Sequence, residues 1–323
     1  MFANTQAVSV WGGEDGSYDS STGVSSNPEY GKVFISIKST TGQNLTSVQK
    51  SNLVSALTPF KVASITPVIV DTETTNLILK STVQYDSSST TKTSTEIASL
   101  VTTTITDYNS SDLQTFNSPF RHSKLLGLID ATDTSILNST VTVTLGKLFT
   151  PTLNTSASYT LNFSNPLYNP HSGHNAAGGG IIASTGFYLG GVTSTEYFFD
   201  DDGNGNLRIY YLVTGVRTYF DSAAGTVDYT NGIVKINSLT MTGIGNVDGA
   251  SSTQIRLTAI PSSYDIVPVR NQILEIDMTN TSVTASVDAT ATTGVGYTTT
   301  QTASGASTTT VSTATSTTTS SAY

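Results

Sequence analysis

Threonine and serine make up about a third of this 323-residue chain, well above ordinary globular usage. Threonine's branched β-carbon suits the pleated surface of a strand and crowds the preceding turn of a helix. A chain so loaded is expected to be rich in strands, and its helices must be held by packing rather than by propensity. Charge is scarce. Asp, Glu, Lys and Arg make up 11% of residues, against about 25% in ordinary domains. With 14 basic and 23 acidic residues the net charge is -9 and the pI about 4.6. That balance cannot line a broad groove with the cations that phosphates require, and it disfavours an anionic membrane surface. Neither nucleic acid nor membrane is therefore expected as a partner. The absence of cysteine excludes disulfides, thiol catalysis and thiolate metal sites. Three histidines leave little material for acid–base chemistry near neutral pH. A weakly charged surface tolerates burial in an assembly, a hint of a structural protein.

The first ten residues, MFANTQAVSV, have neither a basic start nor an apolar core, so no secretory signal is visible. No run of about 18 apolar residues occurs, so no spanning helix is expected. Residues 1–30 read as an extended arm around Trp11-Gly12-Gly13-Glu14-Asp15. Residues 31–148 read as an α+β domain. Val33, Ile35 and Ile37 alternate against Phe34, the mark of a strand. Thr46 and Gln49 have capping-box spacing ahead of a helix over 50–57. Residues 62–70 and 77–85 read as strands, and a hairpin is the economical connection between them. Thr93 and Glu96 repeat the capping box, followed by an apolar stripe of Ile97, Leu100, Val101, Ile105 and Tyr108. Ser118 and Pro119 have the pattern of a third helix start, running to about Ile129. A strand follows with Val141, Val143 and Leu145 on one face. The order β-α-β-β-α-(α)-β suggests a split βαβ-like sheet with two to three helices on it. Residues 149–288 read as a mostly-β domain. Its turns at 200–206 and 228–232 have the residues that hairpin loops need. Residues 289–323 form an uncharged Thr/Ser-rich tail that cannot bury enough apolar area to fold alone.

Candidate chemistry is sparse. Asp200, Asp202 and Asn204, with Gly205, match the first half of a calcium loop. Tyr211 stands where a bidentate Glu should be, and the flanks read as strands. A hairpin turn is the better reading, with an ion site as its alternative. His171 and His174 are close, but His122, the third histidine, is distant, so loop polarity is preferred to a zinc site. The glycines at 178–180 lack the Gly-Lys-Ser/Thr ending of a phosphate loop. No Gly-x-Ser-x-Gly occurs. No catalytic set, cofactor or metal is expected. Arg121 and Lys124, beside Phe120, read either as the outer face of an amphipathic helix or as a contact for an acidic neighbour.

Several stretches, in order, resemble a known family. They include Val10-Trp11-Gly12-Gly13-Glu14-Asp15, Gly31-Lys32-Val33-Phe34-Ile35-Ser36-Ile37 and Pro67-Val68-Ile69-Val70-Asp71. Phe120-Arg121-His122-Ser123-Lys124-Leu125-Leu126 and Ser135-Ile136-Leu137-Asn138-Ser139 continue the set. It ends with Asp201-Asp202-Gly203-Asn204-Gly205-Asn206-Leu207-Arg208 and Val267-Pro268-Val269-Arg270-Asn271-Gln272-Ile273-Leu274. The chain resembles the C-terminal, dimerising half of the large baseplate wedge subunit of T-even-type contractile-tailed phages, a family related to baseplate J-like proteins. The resemblance implies a non-enzymatic virion component in the tail baseplate, assembled in the host cytoplasm. Its implied partners are a second copy from the neighbouring wedge, other baseplate wedge proteins and the tail hub, with self-pairing closing a ring. The family's helical half is expected outside this sequence. Trp11, Phe120, Arg121 and Lys124 are the residues guessed to meet a partner. The competing reading is a secreted or virion-surface β-rich fibre or adhesin module, and a tail-associated hydrolase is a third.

Overall fold

The computed structural model describes residues 5–16, 18–19, 23–24, 27–40, 44–62, 64–174, 179–288, 297–301 and 307–311. The fold is α+β. It comprises two compact units, one of Met1–Leu79, Thr106–His122 and Thr142–Thr281, the other of Lys80–Ile105, Ser123–Val141 and Ser282–Tyr323.

The chain opens with β1 (Thr5–Gly12), the two-residue pair β2 (Tyr18–Asp19) and β3 (Gly23–Val24), and β4 (Lys32–Ser39). Helix α1 (Ser47–Leu57) leads to β5 (Thr66–Val70). β1 runs antiparallel to β4, and β4 runs parallel to β5, giving a three-stranded sheet. The arm expected over 1–30 is thus partly strand. Phe34, not the Val33/Ile35 side, faces the core, where Trp11 stacks on it at 5.5 Å beside Val68 and Val70. The capping box forms as read. Gln49 N–H donates to Thr46 Oγ1, and Thr46 N–H donates to Gln49 Oε1.

The second segment runs β6 (Glu73–Tyr85), α2 (Ser94–Asp112), α3 (His122–Asp130) and β7 (Ile136–Phe149). The hairpin expected between 62–70 and 77–85 does not form. β5 already pairs with β4, and the short link at 71–73 is claimed by a distant segment. Glu73 N–H donates to Asn271 O, and Asn271 Nδ2 donates to Asp71 O. The expected strands therefore divide between two sheets. The second capping box forms, with Glu96 N–H donating to Thr93 Oγ1. Ile97, Val101, Ile105 and Tyr108 are buried, while Leu100 stays outside. The helix satisfies its surplus hydroxyls locally. Thr102, Thr103 and Thr104 each donate to the carbonyl four residues back.

The third helix begins later than Ser118-Pro119 implied. Phe120 is still extended and exchanges two backbone hydrogen bonds with Ile266, at 2.9 and 3.1 Å. The cap comes from a remote carboxylate, Asp265, which accepts from His122 N–H at 2.9 Å.

From β7 the chain enters a barrel. Its strands are β8 (Ser156–Asn162), β9 (Ile182–Ser184), β10 (Phe187–Leu189), β11 (Tyr197–Asp201), β12 (Asn206–Val213), β13 (Val216–Asp228) and β14 (Ile233–Ile244). β10 to β14 pair in sequence and β10 also pairs with β14, so the circuit of hydrogen bonds closes. β8 adds to β14, and β9 pairs elsewhere, with a later strand. Phe187, Phe199, Leu207, Ile209, Val234, Ile236 and Met241 are buried core residues, with Phe187 stacked on Phe199 at 4.6 Å.

After the minor pair β15 (Asn246–Val247) and β16 (Ala250–Ser251), the chain returns to its earlier sheet. β17 (Ile255–Ala259) runs antiparallel to β7 and also holds β9. β18 (Gln272–Ile276) and then β19 (Ser282–Val287) run parallel to β6. The barrel is therefore an insertion between strands of one sheet. β20 (Tyr297–Gln301) and β21 (Ser307–Val311) form an antiparallel pair within the tail. Among the described residues no helix is long and apolar enough to cross a membrane.

Asp133 gives this fold a pH signature. Its carboxylate accepts from Lys92 Nζ at 2.5 Å and from Ser135 N–H and Oγ at 2.9 and 2.7 Å. Those hydrogen bonds, Lys92's first, hold its pKa down at about 2. A depressed carboxyl stabilises the fold fully above its unfolded value near 3.8 and loses that contribution as pH falls through 2. Thermal melts of wild type should decline across this window, and Asp133→Asn should flatten that decline while starting from a lower midpoint at neutral pH.

Candidate functional site

The strongest concentration of charge in the barrel is the hairpin of β11 and β12, the segment whose calcium-loop pattern invited an ion. Its three aspartates do not converge. Asp200 and Asp201 are buried in the last two positions of β11 and, as neighbours on a strand, point to opposite faces. Asp202 begins the turn. Its Oδ1 accepts from Asn204 and Asn206 N–H at 2.7 and 3.0 Å, and its Oδ2 accepts from Asn206 Nδ2.

Asp200 Oδ1 accepts from Arg208 Nε at 2.9 Å, and Oδ2 accepts from Arg217 Nη1 at 2.7 Å and Tyr219 Oη at 3.1 Å. The two guanidiniums lie over tyrosine rings, Arg208 over Tyr219 at 4.2 Å and Arg217 over Tyr210 at 4.5 Å. Burial raises the Asp200 pKa, opposed by Arg208. Asp201 ties three loops together. Oδ1 accepts from Ile181 and Ile182 N–H at 2.7 and 2.8 Å, and Oδ2 from Tyr229 Oη at 2.7 Å. Burial, then this bond, pushes the Tyr229 hydroxyl pKa up.

Gly180 sits at φ +65° with Asp201 so close that a Cβ would overlap its carboxylate. Every carboxylate oxygen of Asp200 and Asp201 accepts a hydrogen bond, and no metal-holding group of three His, Asp or Glu occurs among the described residues. The geometry is that of a hairpin clamp. His171 and His174 meet ring to ring, Nε2 to Nδ1 3.3 Å apart, with Tyr168 edge-on to His174. His122 lies elsewhere, at the start of α3, with its ring 5.1 Å from that of Tyr264. A groove of about 720 Å³ lies beside the clamp, lined by residues including Asn169, His171, Ser172, Asn204 and Tyr229.

The guessed partner contacts separate into two kinds. Trp11 is 8% exposed and Phe120 0%, the latter packed edge-on to Tyr108 at 6.0 Å. A fully buried ring offers no surface, so Phe120 leaves the set, and Trp11 is spent on Phe34. Arg121 is exposed and reaches Asp265 at 3.2 Å, an intramolecular acid. Lys124 is exposed on α3.

Residues 1–70 match the family described as baseplate structural protein gp6, C-terminal domain I, and residues 74–148 match C-terminal domain III of the same protein. The chain resembles the C-terminal half of gp6. The gap between the two matches, 71–73, falls where β5 ends and β6 begins. The first match covers the three-stranded sheet, and the second covers β6, α2, α3 and β7. The gp6 matches support a structural role in a phage baseplate, with a place in the virion tail and contacts to other baseplate components. No curated protein sequence matches the chain.

Replacing Asp201 with Ala strands the Ile181 and Ile182 N–H groups and the Tyr229 hydroxyl. Chemical denaturation should show a loss of about 3–5 kcal/mol. Millimolar calcium should leave the wild-type melting midpoint unmoved; a calcium-dependent rise would restore the ion-site reading.

Proposed function

We propose that the chain is a wedge component of a contractile-tail baseplate, and that its copies pair so as to link neighbouring wedges into a ring around the hub. The carrying observation is the pair of consecutive gp6 matches, to domains I and III in that order. The first contains the whole three-stranded sheet, and the second spans β6 and β7, neighbours in another sheet that β9 and β17 to β19 complete. A structural family fits a non-enzymatic role, with assembly in the host cytoplasm. The clamp around Asp200 and Asp201 fits it too, since those charges serve the fold and leave partner binding to surfaces.

On this reading the functional segments remain 1–30, 31–148, 149–288 and 289–323. Domain I and the barrel present surfaces to neighbours. The uncharged tail lies along a neighbouring subunit and orders on docking.

Sedimentation velocity on the purified chain tests the pairing, with and without its baseplate neighbours. A concentration-dependent dimer that joins larger complexes with wedge proteins is expected. A chain that stays monomeric and ignores every tail protein would contradict the reading. Deleting 289–323 should leave the melting midpoint unchanged and weaken that joining several-fold; undiminished assembly would reject the docking role of the tail.

A further inference from the structure

Two imidazoles are held together where the chain turns at residues 171–174. The turn closes through His174 N–H, which donates to His171 O at 3.1 Å. Gly173 takes φ +74° within it, a conformation that glycine adopts without strain. The β11–β12 hairpin pins the turn at two points. Gly173 N–H donates to Gly203 O at 3.0 Å, and Ser172 Oγ donates to Asn204 Oδ1 at 2.5 Å. The first and last rings of the turn are thereby brought side by side. His171 Nε2 stands 3.3 Å from His174 Nδ1, with ring centres 5.0 Å apart and planes at 80°. Tyr168 packs edge-on against His174 at 5.3 Å. His171 Nδ1 lies 3.1 Å from Ser172 O. A carbonyl can only accept, so Nδ1 carries the proton, and in the neutral ring Nε2 is the lone-pair nitrogen.

We propose that His171 and His174 form an open site for a zinc ion, with water completing its tetrahedron. The site is independent of the pairing proposed above. Zinc binds imidazole nitrogen at about 2.0–2.1 Å. Two nitrogens at that bond length and 3.3 Å from each other subtend about 105–110° at the ion, close to the tetrahedral angle. Rings aimed at one such ion have their centres about 5 Å apart, and these do. The Ser172 carbonyl acts as the outer partner of a metal-bound histidine does, by fixing the tautomer of His171. His174 then needs its other tautomer, with the proton on Nε2, to supply the second lone pair. Asn169 adds a separate observation. It lines the same groove as His171, and its Oδ1 is a buried acceptor with no donor among the described residues. Its amide is held in place by Nδ2, which donates to Gly203 O at 3.3 Å. Water on a divalent ion is a strengthened donor of the kind that this oxygen lacks. His122 stays distant, so water rather than a third imidazole completes the set. Nitrogen ligands favour zinc and its neighbours over calcium and magnesium, which take oxygen. Two protein ligands in place of four describe an exchangeable ion, not one on which folding depends.

Titration calorimetry of the tag-free chain with zinc sulfate at neutral pH tests the site. One ion per chain is expected. His171→Ala and His174→Ala should each weaken binding about tenfold or more, because one imidazole remains. His122→Ala should bind as wild type does. Zinc should also raise the wild-type melting midpoint and leave those of the two loop variants unmoved. Their metal-free midpoints should equal that of wild type, which separates lost binding from lost folding; if alanine lowers them, His171→Gln and His174→Gln take their place. No heat at millimolar zinc overturns the proposal. So does undiminished binding by the double variant His171→Ala/His174→Ala, or calcium binding as tightly as zinc.

Discussion

The fold depends on a long-range return. β17 and β18 must travel back to β7 and β6 after the barrel has been completed. Gln272 secures the junction from a fully buried position, donating to Thr75 Oγ1 at 2.6 Å and to Phe163 O at 3.0 Å. Asn271 adds its bond to Asp71. Gln272 and Thr75 lie 197 residues apart, and Asn271 and Asp71 200, yet loop-closure cost rises only logarithmically with length. The barrel can therefore be inserted without ruining the stability of the sheet that carries it. The cost is kinetic, because such pairings form late.

Scarce charge makes the second constraint. With so few ionisable side chains, the barrel concentrates them where three loops need a common anchor. Asp200 and Asp201 lie back to back on one strand and serve two different networks. Low local dielectric strengthens each satisfied bond and makes each orphaned one expensive. Among the described residues only Lys147, Asp200, Asp201 and Arg208 are buried charges, and the few others are scattered over a surface of hydroxyl and apolar groups. That is the surface an assembly protein can bury against a neighbour.

The sequence was most legible where local chemistry decides. Both capping boxes form, and the apolar stripe of α2 is buried at Ile97, Val101, Ile105 and Tyr108. It was least legible where distant partners decide. Asp265 caps α3 from 143 residues away, which Ser118-Pro119 could not reveal. β13 escaped notice because its register shifts against β12 break the period-two pattern and most of its residues are exposed. β1 escaped because Val8 and Val10 face outward while Ser9 and Trp11 turn in. The calcium-loop pattern was real as spacing. In the fold those residues are taken up by protein donors: Asp200 accepts from Arg208 and Arg217, and Asp202 accepts from Asn204 and Asn206 within the turn.

On the proposed function the chain is a building element whose work is done by surfaces. Electron cryo-microscopy of the intact virion that carries the chain tests that most directly. Density for the three-stranded sheet and the barrel should repeat around the tail axis in the baseplate, with adjacent copies touching. Density at a fibre tip or on the capsid, or isolated copies that never meet, would contradict it.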